Sequence, residues 1–250
     1  MTAEPPRTQR DKVPFLMLLP NMVTLGGMCI GLTSIRFAMD ERFGTAMLLL
    51  LLAAIFDGVD GLLARSLSAT SKIGAELDSL SDFLCFGVAP AILVYQMYLS
   101  GIGSLGWVFV LVFASATCLR LARFNVHNTS QEEDAKPMTY FIGVPAPGGA
   151  LLVLFPAFLD YAEILSFGDL PYVVAIWSVI VALLMVSGVQ TLSPKALRVP
   201  RALIWPMMFT VVIAIGLLFT RPWLVLVIVD TVYSASLIRS LYLAARRHRG

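Results

Sequence analysis

Four aspartates at helical spacing, Asp57, Asp60, Asp78 and Asp82, are the residues here whose types and spacing could do chemistry. They stand in a chain that is otherwise strongly apolar. The first pair sits in Asp57-Gly58-Val59-Asp60-Gly61-Leu62-Leu63-Ala64-Arg65, and Gly74 precedes the second pair. A carboxylate at bilayer depth costs roughly 2.5–3.5 kcal/mol on insertion scales, so four would cost about 10 kcal/mol if nothing answered their charge. Oxygen-liganded divalent cations answer it most directly. Residues three or four apart share one helix face, so each pair can point one way. Four converging carboxylates suit Mg²⁺ or Mn²⁺ and are numerous enough for two ions. Two such ions can clamp the attacking and leaving oxygens of a phosphoryl displacement. Gly61 and Ala64 remove bulk beside the acids, Gly74 does so opposite them, and Arg65 is placed to hold a phosphate or to answer the carboxylates.

The elements that must position these residues are membrane helices. Hydrophobic residues make up 58% of the 250 residues and charged ones only 14%, with a mean hydropathy of +0.83, a balance that excludes an ordinary soluble enzyme. About eight apolar stretches are long enough to span, near 21–39, 44–65, 73–98, 104–125, 140–160, 171–190, 202–219 and 222–244. They are continuously apolar rather than alternating, which argues against a barrel. The expectation is an all-α, polytopic helical bundle with both termini cytoplasmic. On that topology, cytoplasmic segments hold all of the 18 Lys and Arg residues except Arg36, Arg42 and Arg221, as the positive-inside rule asks. The net charge of +2 then reflects topological anchors and gives no reason to expect a nucleic-acid partner.

Residues 1–12 are polar, contain Pro5 and Pro6, and read as a flexible cytoplasmic arm before a single membrane domain, 13–250. Cys29, Cys85 and Cys118 lie inside apolar runs without CxxC spacing and read as buried hydrophobes. His127 and His248 are isolated, so a histidine metal site is not expected. The stretch from His127 to Thr139, with Glu132, Glu133 and Asp134, reads as a solvated cytoplasmic loop.

The pattern Asp-x2-Asp-Gly-x2-Ala-Arg-x8-Gly-x3-Asp-x3-Asp resembles the signature of the CDP-alcohol phosphatidyltransferase family at every fixed position. That resemblance implies a helical membrane fold, commonly dimeric, with a cavity open to the cytosol at the cell membrane. It implies Asp57, Asp60, Asp78 and Asp82 as metal ligands, with Asp82 also the general base. Gly61, Ala64, Arg65 and Gly74 would line the site for the CDP-linked donor, CDP-diacylglycerol.

Flanking residues resemble the bacterial and archaeal members whose acceptor is L-serine and whose other product is CMP. They are Pro20 to Thr24, Phe83 to Pro90, Leu119 to Asn125 and Gly143 to Gly148. Gly27 departs from the pattern, since many relatives carry Asn there. Asn21 and Thr24 either bond the cytosine or cap the first helix. Arg120 and Arg123 either anchor the end of their span or bind the donor phosphate or the serine carboxylate. The Gly143–Gly148 segment, interrupting the fifth span, either kinks it or frees backbone groups to line a polar cavity. Ser187, Thr191 and Ser193 read as interfacial, with Lys195 a candidate headgroup or phosphate contact. The same chemistry with glycerol 3-phosphate, an inositol phosphate or choline is the main rival. A divalent-cation transporter is the distant one, because transport would spread acids across the membrane rather than gather them at one side.

Overall fold

The computed structural model describes residues 15–67, 71–130, 140–187, 190–192, 216–218 and 220–247. Helix α1 (Leu19–Met39) carries Pro20 in its first turn, where the missing N–H costs nothing. Its buried residues are Pro20, Thr24, Gly27, Gly31, Ser34 and Ala38, an alternating four-three spacing of mostly small side chains. Helix α2 (Phe43–Ser66) answers with Ala46, Leu50, Ala53 and Asp60 at compatible spacing, and the two helices pack along one seam. Ser34 Oγ donates to the Ala46 carbonyl at 2.9 Å across it. A Cβ on Gly27 would lie 3.3 Å from Phe56 Cβ, so packing against α2 explains why this position carries no larger side chain. Glu41, at φ 59°, turns the chain between α1 and α2.

Helix α3 (Lys72–Asp82) starts at Ser71, whose hydroxyl accepts from Gly74 N at 3.0 Å. The helix continues as one span to Ile102, passing through wide π-type turns at Phe83–Val88 and Tyr95–Leu99 with α4 (Ala89–Val94) between them. Pro90 lies in the first turn of α4, where the neighbouring π turn has already disrupted the regular ladder. Helix α5 (Ser104–Ser130) returns antiparallel to this span.

Helices α6 (Ala146–Tyr161) and α7 (Pro171–Val186) are shorter. Pro156 inside α6 denies the Leu152 carbonyl its usual intrahelical donor, and Trp177 Nε1 of α7 supplies one at 2.6 Å. At the other end of α6, Tyr161 OH accepts from the Gly44 N–H at the start of α2. Helix α8 (Pro222–Arg247) packs against α6.

Among the described residues, five helical spans are long and apolar enough to cross a membrane, and α6 and α7 add two shorter apolar helices. The chain is therefore a multi-pass α-helical membrane protein. The expected span at 202–219 lies almost entirely outside the described residues, as do the arm at 1–12, most of the loop ending at Thr139, and Lys195.

Two helices fall short of the sequence expectation. Residues 140–142 form a short strand pairing antiparallel with 190–192, in the register Tyr140 with Leu192. Helix α6 begins only after it, with Pro145 extended at the N-cap and Pro147 in the first turn. The prolines thus start this helix instead of interrupting it, because neither position needs an amide hydrogen. Helix α7 ends at Val186 with Ser187 extended, short of the expected 190. Cys85 is buried as expected, whereas Cys29 and Cys118 are exposed, since the apolar outer face of a bilayer helix accepts a thiol without burial.

Candidate active site

The α1–α2 seam delivers Asp60 into the protein. Asp60 is 4% exposed, and Thr24 Oγ1 of α1 donates to its Oδ2. The same hydroxyl lies 3.1 Å from the Pro20 carbonyl, while the Thr24 carbonyl accepts from Ser81 Oγ of α3 at 3.4 Å. Thr24 therefore ties the three acid-bearing or acid-facing helices together. It does not cap α1, whose N-cap is Leu18.

Asp57, half-buried, and Asp78, exposed, join Asp60 in a group whose carboxylate oxygens lie within 4.8 Å of one another. Asp82, one turn beyond Asp78 on α3, lies beside Asp57 and Asp78 and outside that tight group. Its Oδ1 is buried with no hydrogen-bond partner. Three converging carboxylates, with a buried unpaired carboxylate oxygen beside them, fit a divalent cation: hard oxygen ligands are present and no described cation forms an ion pair with them. Among the described residues the one ion pair is Arg36 with Asp40, far along α1 from this cluster. The π turn that follows Asp82 directly is the kind of helix irregularity often found at functional sites.

The small residues divide into two kinds. Around Gly58 and Gly61 the helix face is open, a Cβ on Gly61 meeting only the Arg65 side chain at 3.8 Å. Ala64 continues this face. Gly74 is different: a Cβ there would fall 2.9 Å from Asn21 Oδ1 and 3.0 Å from Ser71 Oγ. It makes room for α1 to approach α3 and for Asn21 to stand at the edge of the site. Arg65 is exposed, and its Nε donates to the Gly61 carbonyl at 2.8 Å instead of pairing with an aspartate.

The two arginines of α5 separate as well. Arg123 Nη1 donates to the Val186 carbonyl at 2.7 Å and closes the C-terminal end of α7. Arg120 is half-buried over the Phe124 ring, in charge reach of Asp82 and Tyr233. Asn125 Nδ2 donates to Ser79 Oγ at 2.9 Å, linking α5 to the acid-bearing helix. The sequence offered no site residue beyond Lys195. The structure adds Asp230, Tyr233 and Ser234 of α8, all with buried side-chain oxygens that lack hydrogen-bond partners. The signal was present: Asp230 is a single acid within an apolar span, Pro222–Tyr242.

A bundle of membrane helices that gathers carboxylates at one mouth, beside an open glycine face, defines an integral-membrane enzyme site of the phosphoryl-transfer kind. The sequence model described as CDP-alcohol phosphatidyltransferase matches residues 17–186, most of the chain and the whole acidic site. The chain belongs to the CDP-alcohol phosphatidyltransferase family. It is similar to proteins named CDP-diacylglycerol–serine O-phosphatidyltransferase. One, from Mycobacterium tuberculosis (strain H37Rv), is 38% identical over 187 residues, 74% of this chain and 64% of the relative. Another, from Helicobacter pylori (strain 26695), is 32% identical over 209 residues, covering 83% of this chain and 84% of the relative. A third, from Bacillus subtilis (strain 168), is 33% identical over 172 residues, covering 69% and 88%. The match thus spans less than two thirds of the mycobacterial relative's length.

Proposed function

We propose that the chain transfers the phosphatidyl group of CDP-diacylglycerol to L-serine, giving phosphatidylserine and CMP. The observation that carries this reading is the carboxylate group of Asp57, Asp60 and Asp78, with Asp82 beside it. The names of the similar proteins support serine as the acceptor.

In this reading Asp57, Asp60, Asp78 and Asp82 hold one or two Mg²⁺ or Mn²⁺ ions. When bound, such ions neutralise the diphosphate and polarise the attacked phosphorus. The open face of Gly61 and Ala64 seats the cytidine diphosphate against the helix, with Asn21 at its edge. Arg65, exposed and only partly engaged by the Gly61 carbonyl, takes a phosphate oxygen. Thr24 orients Asp60 from behind. Asp82 accepts the proton of the serine hydroxyl as that oxygen attacks phosphorus in line and CMP leaves. A carboxylate is a weak base for an alcohol, so this help comes as charge develops in the transition state. Arg120, in charge reach of Asp82, suits the serine carboxylate; Arg123, committed to α7, is the weaker candidate. Lys195, outside the described residues, is a further candidate headgroup or phosphate contact. The diacylglycerol tails stay in lipid, and the distribution of Lys and Arg supports a mouth facing the cytoplasm and termini on that side. A homodimer is part of the same proposal.

The test is product identity. Purified protein given CDP-diacylglycerol, Mn²⁺ or Mg²⁺ and separate acceptors should form phosphatidylserine and CMP with L-serine. Glycerol 3-phosphate, inositol phosphate and choline should give little. Preference for any of those three would keep the transferase and overturn the acceptor.

A further inference from the structure

Helix α3 carries Asp78 and Asp82, and its regular turns end directly after them, at the π turn Phe83–Val88. A π turn bonds i to i+5 and so breaks the α-helical phase. The rest of the span therefore does not by itself dictate how the acid-bearing stretch is rotated about its axis. Helix α5 runs antiparallel to this span and contacts it on both sides of Asp82. On one side Gly87 of the π turn lies against Thr117, since a Cβ there would fall 3.1 Å from Thr117 Cβ and Cγ2. On the other, Asn125 Nδ2 donates to Ser79 Oγ at 2.9 Å. Residues 79 and 87 are eight apart, as are 117 and 125, so both contacts belong to one antiparallel register. Along α5 that interval is about 12 Å. The Ser79 hydroxyl also donates to the Ala75 carbonyl at 3.0 Å, one turn back. With its single hydrogen given there, its lone pairs are left for the Asn125 amide, and both contacts are satisfied together.

Ser79 follows Asp78 directly and stands one turn before Asp82. The same stretch is tied to α1, where Ser81 Oγ donates to the Thr24 carbonyl at 3.4 Å and Gly74 lies against Asn21. The turns that carry two of the acids are thus held from α1 and from α5, while Asp57 and Asp60 come from α2. A rotation of α3 swings its side chains sideways past α2, and would open the group in which the Asp57, Asp60 and Asp78 oxygens lie within 4.8 Å of one another. We infer that Asn125 is a positioning residue: through Ser79 it sets the rotation of α3, and with it the direction in which Asp78 and Asp82 face the acids of α2. The inference rests on the metal reading given above and adds the residue that holds two of the four acids in place.

The test is a mutant cycle of Ser79→Ala, Asn125→Ala and the double variant, each in the full chain in detergent–lipid micelles. Two quantities are read. One is the Mn²⁺ dissociation constant, from the electron paramagnetic resonance signal of unbound Mn²⁺; the other is the Mn²⁺ concentration for half-maximal CMP release. An uncharged hydrogen bond is worth roughly three- to tenfold in an equilibrium constant, so each single variant should raise both quantities by about that factor. The double variant should raise them no further than the larger single effect, because the two side chains act as one pair. Turnover should largely recover at saturating Mn²⁺. A residue needed only for folding would lower the amount of folded protein and leave the dissociation constant of the folded fraction unmoved. Folded Asn125→Ala with an unchanged Mn²⁺ dissociation constant overturns the inference, and so does a double variant whose effect is the product of the two singles. Should Asn125→Ala not fold, Ser79→Ala, which favours helix, decides on the same criterion. If the unmodified protein binds no Mn²⁺ and releases CMP without any divalent cation, the metal reading falls. If it binds Mn²⁺ and the variants leave that binding unmoved, the role of Asn125 falls alone.

Discussion

Asp60 is held before any ligand arrives: the Thr24 hydroxyl donates to it, and the small-residue seam of α1 brings that hydroxyl close. Partners of this kind orient ligating groups, and their loss typically costs about 10–100-fold in metal affinity. Thr24→Val removes the hydroxyl while keeping the shape. It should raise the Mn²⁺ concentration for half-maximal CMP release by about that factor. An unchanged metal requirement would show that Asp60 needs no such orientation. Asp82→Asn tests a different role. It should lose nearly all turnover while retaining measurable CDP-diacylglycerol binding, because the donor rests mainly on the other acids and Arg65. Near-normal turnover would remove Asp82 as the base. The four aspartates and their spacing were readable from the chain, because acids in an apolar stretch have few alternative explanations. Thr24's partner was not, since it depends on how α1 docks against α2. Nor was the division of labour between Arg120 and Arg123, which differ only in which neighbouring helix each meets.

At the scale of elements, the glycines of α2 and α3 carry opposite expectations. Gly61→Leu improves helix propensity and meets open space, so the variant should fold normally and lose donor affinity. Normal affinity in the folded variant would show that this face does not touch the nucleotide. Gly74→Leu must displace Asn21 and Ser71, so it should also lower the thermal midpoint in detergent, by an overpacking penalty of about 1–3 kcal/mol. Equal stability of the two variants would contradict the close approach of α1 to α3. Seven of the eight stretches expected from hydropathy are occupied by described helices, because length and apolarity are the bilayer's own requirements. The start of α6 was misplaced because hydropathy does not register that an extended Pro145 begins a helix and that 140–142 pair with 190–192. Asp230 was passed over because a single acid shows no spacing pattern. Its meaning lies in the absence of a partner, visible only once α8 is set against α6.

The whole molecule places charge asymmetrically. On the proposed topology the α1–α2 turn, with Arg42 against Phe37, lies on the side poorest in Lys and Arg, opposite the acidic mouth. A cysteine introduced at Glu41 should react with an impermeant thiol reagent added outside intact cells, whereas one at Ser66 should react only after the cells are opened. The reverse pattern would invert the topology and the side from which CDP-diacylglycerol enters. The central claim is that the aspartate cluster works through a divalent cation during transfer to an alcohol. Its most direct measurement is CMP release from CDP-diacylglycerol and L-serine by protein stripped with EDTA, then titrated with Mn²⁺ or Mg²⁺. The account predicts no release without the cation, full recovery on titration, and no recovery at the same concentrations for Asp57→Asn or Asp78→Asn. Full turnover by the metal-free protein would contradict it.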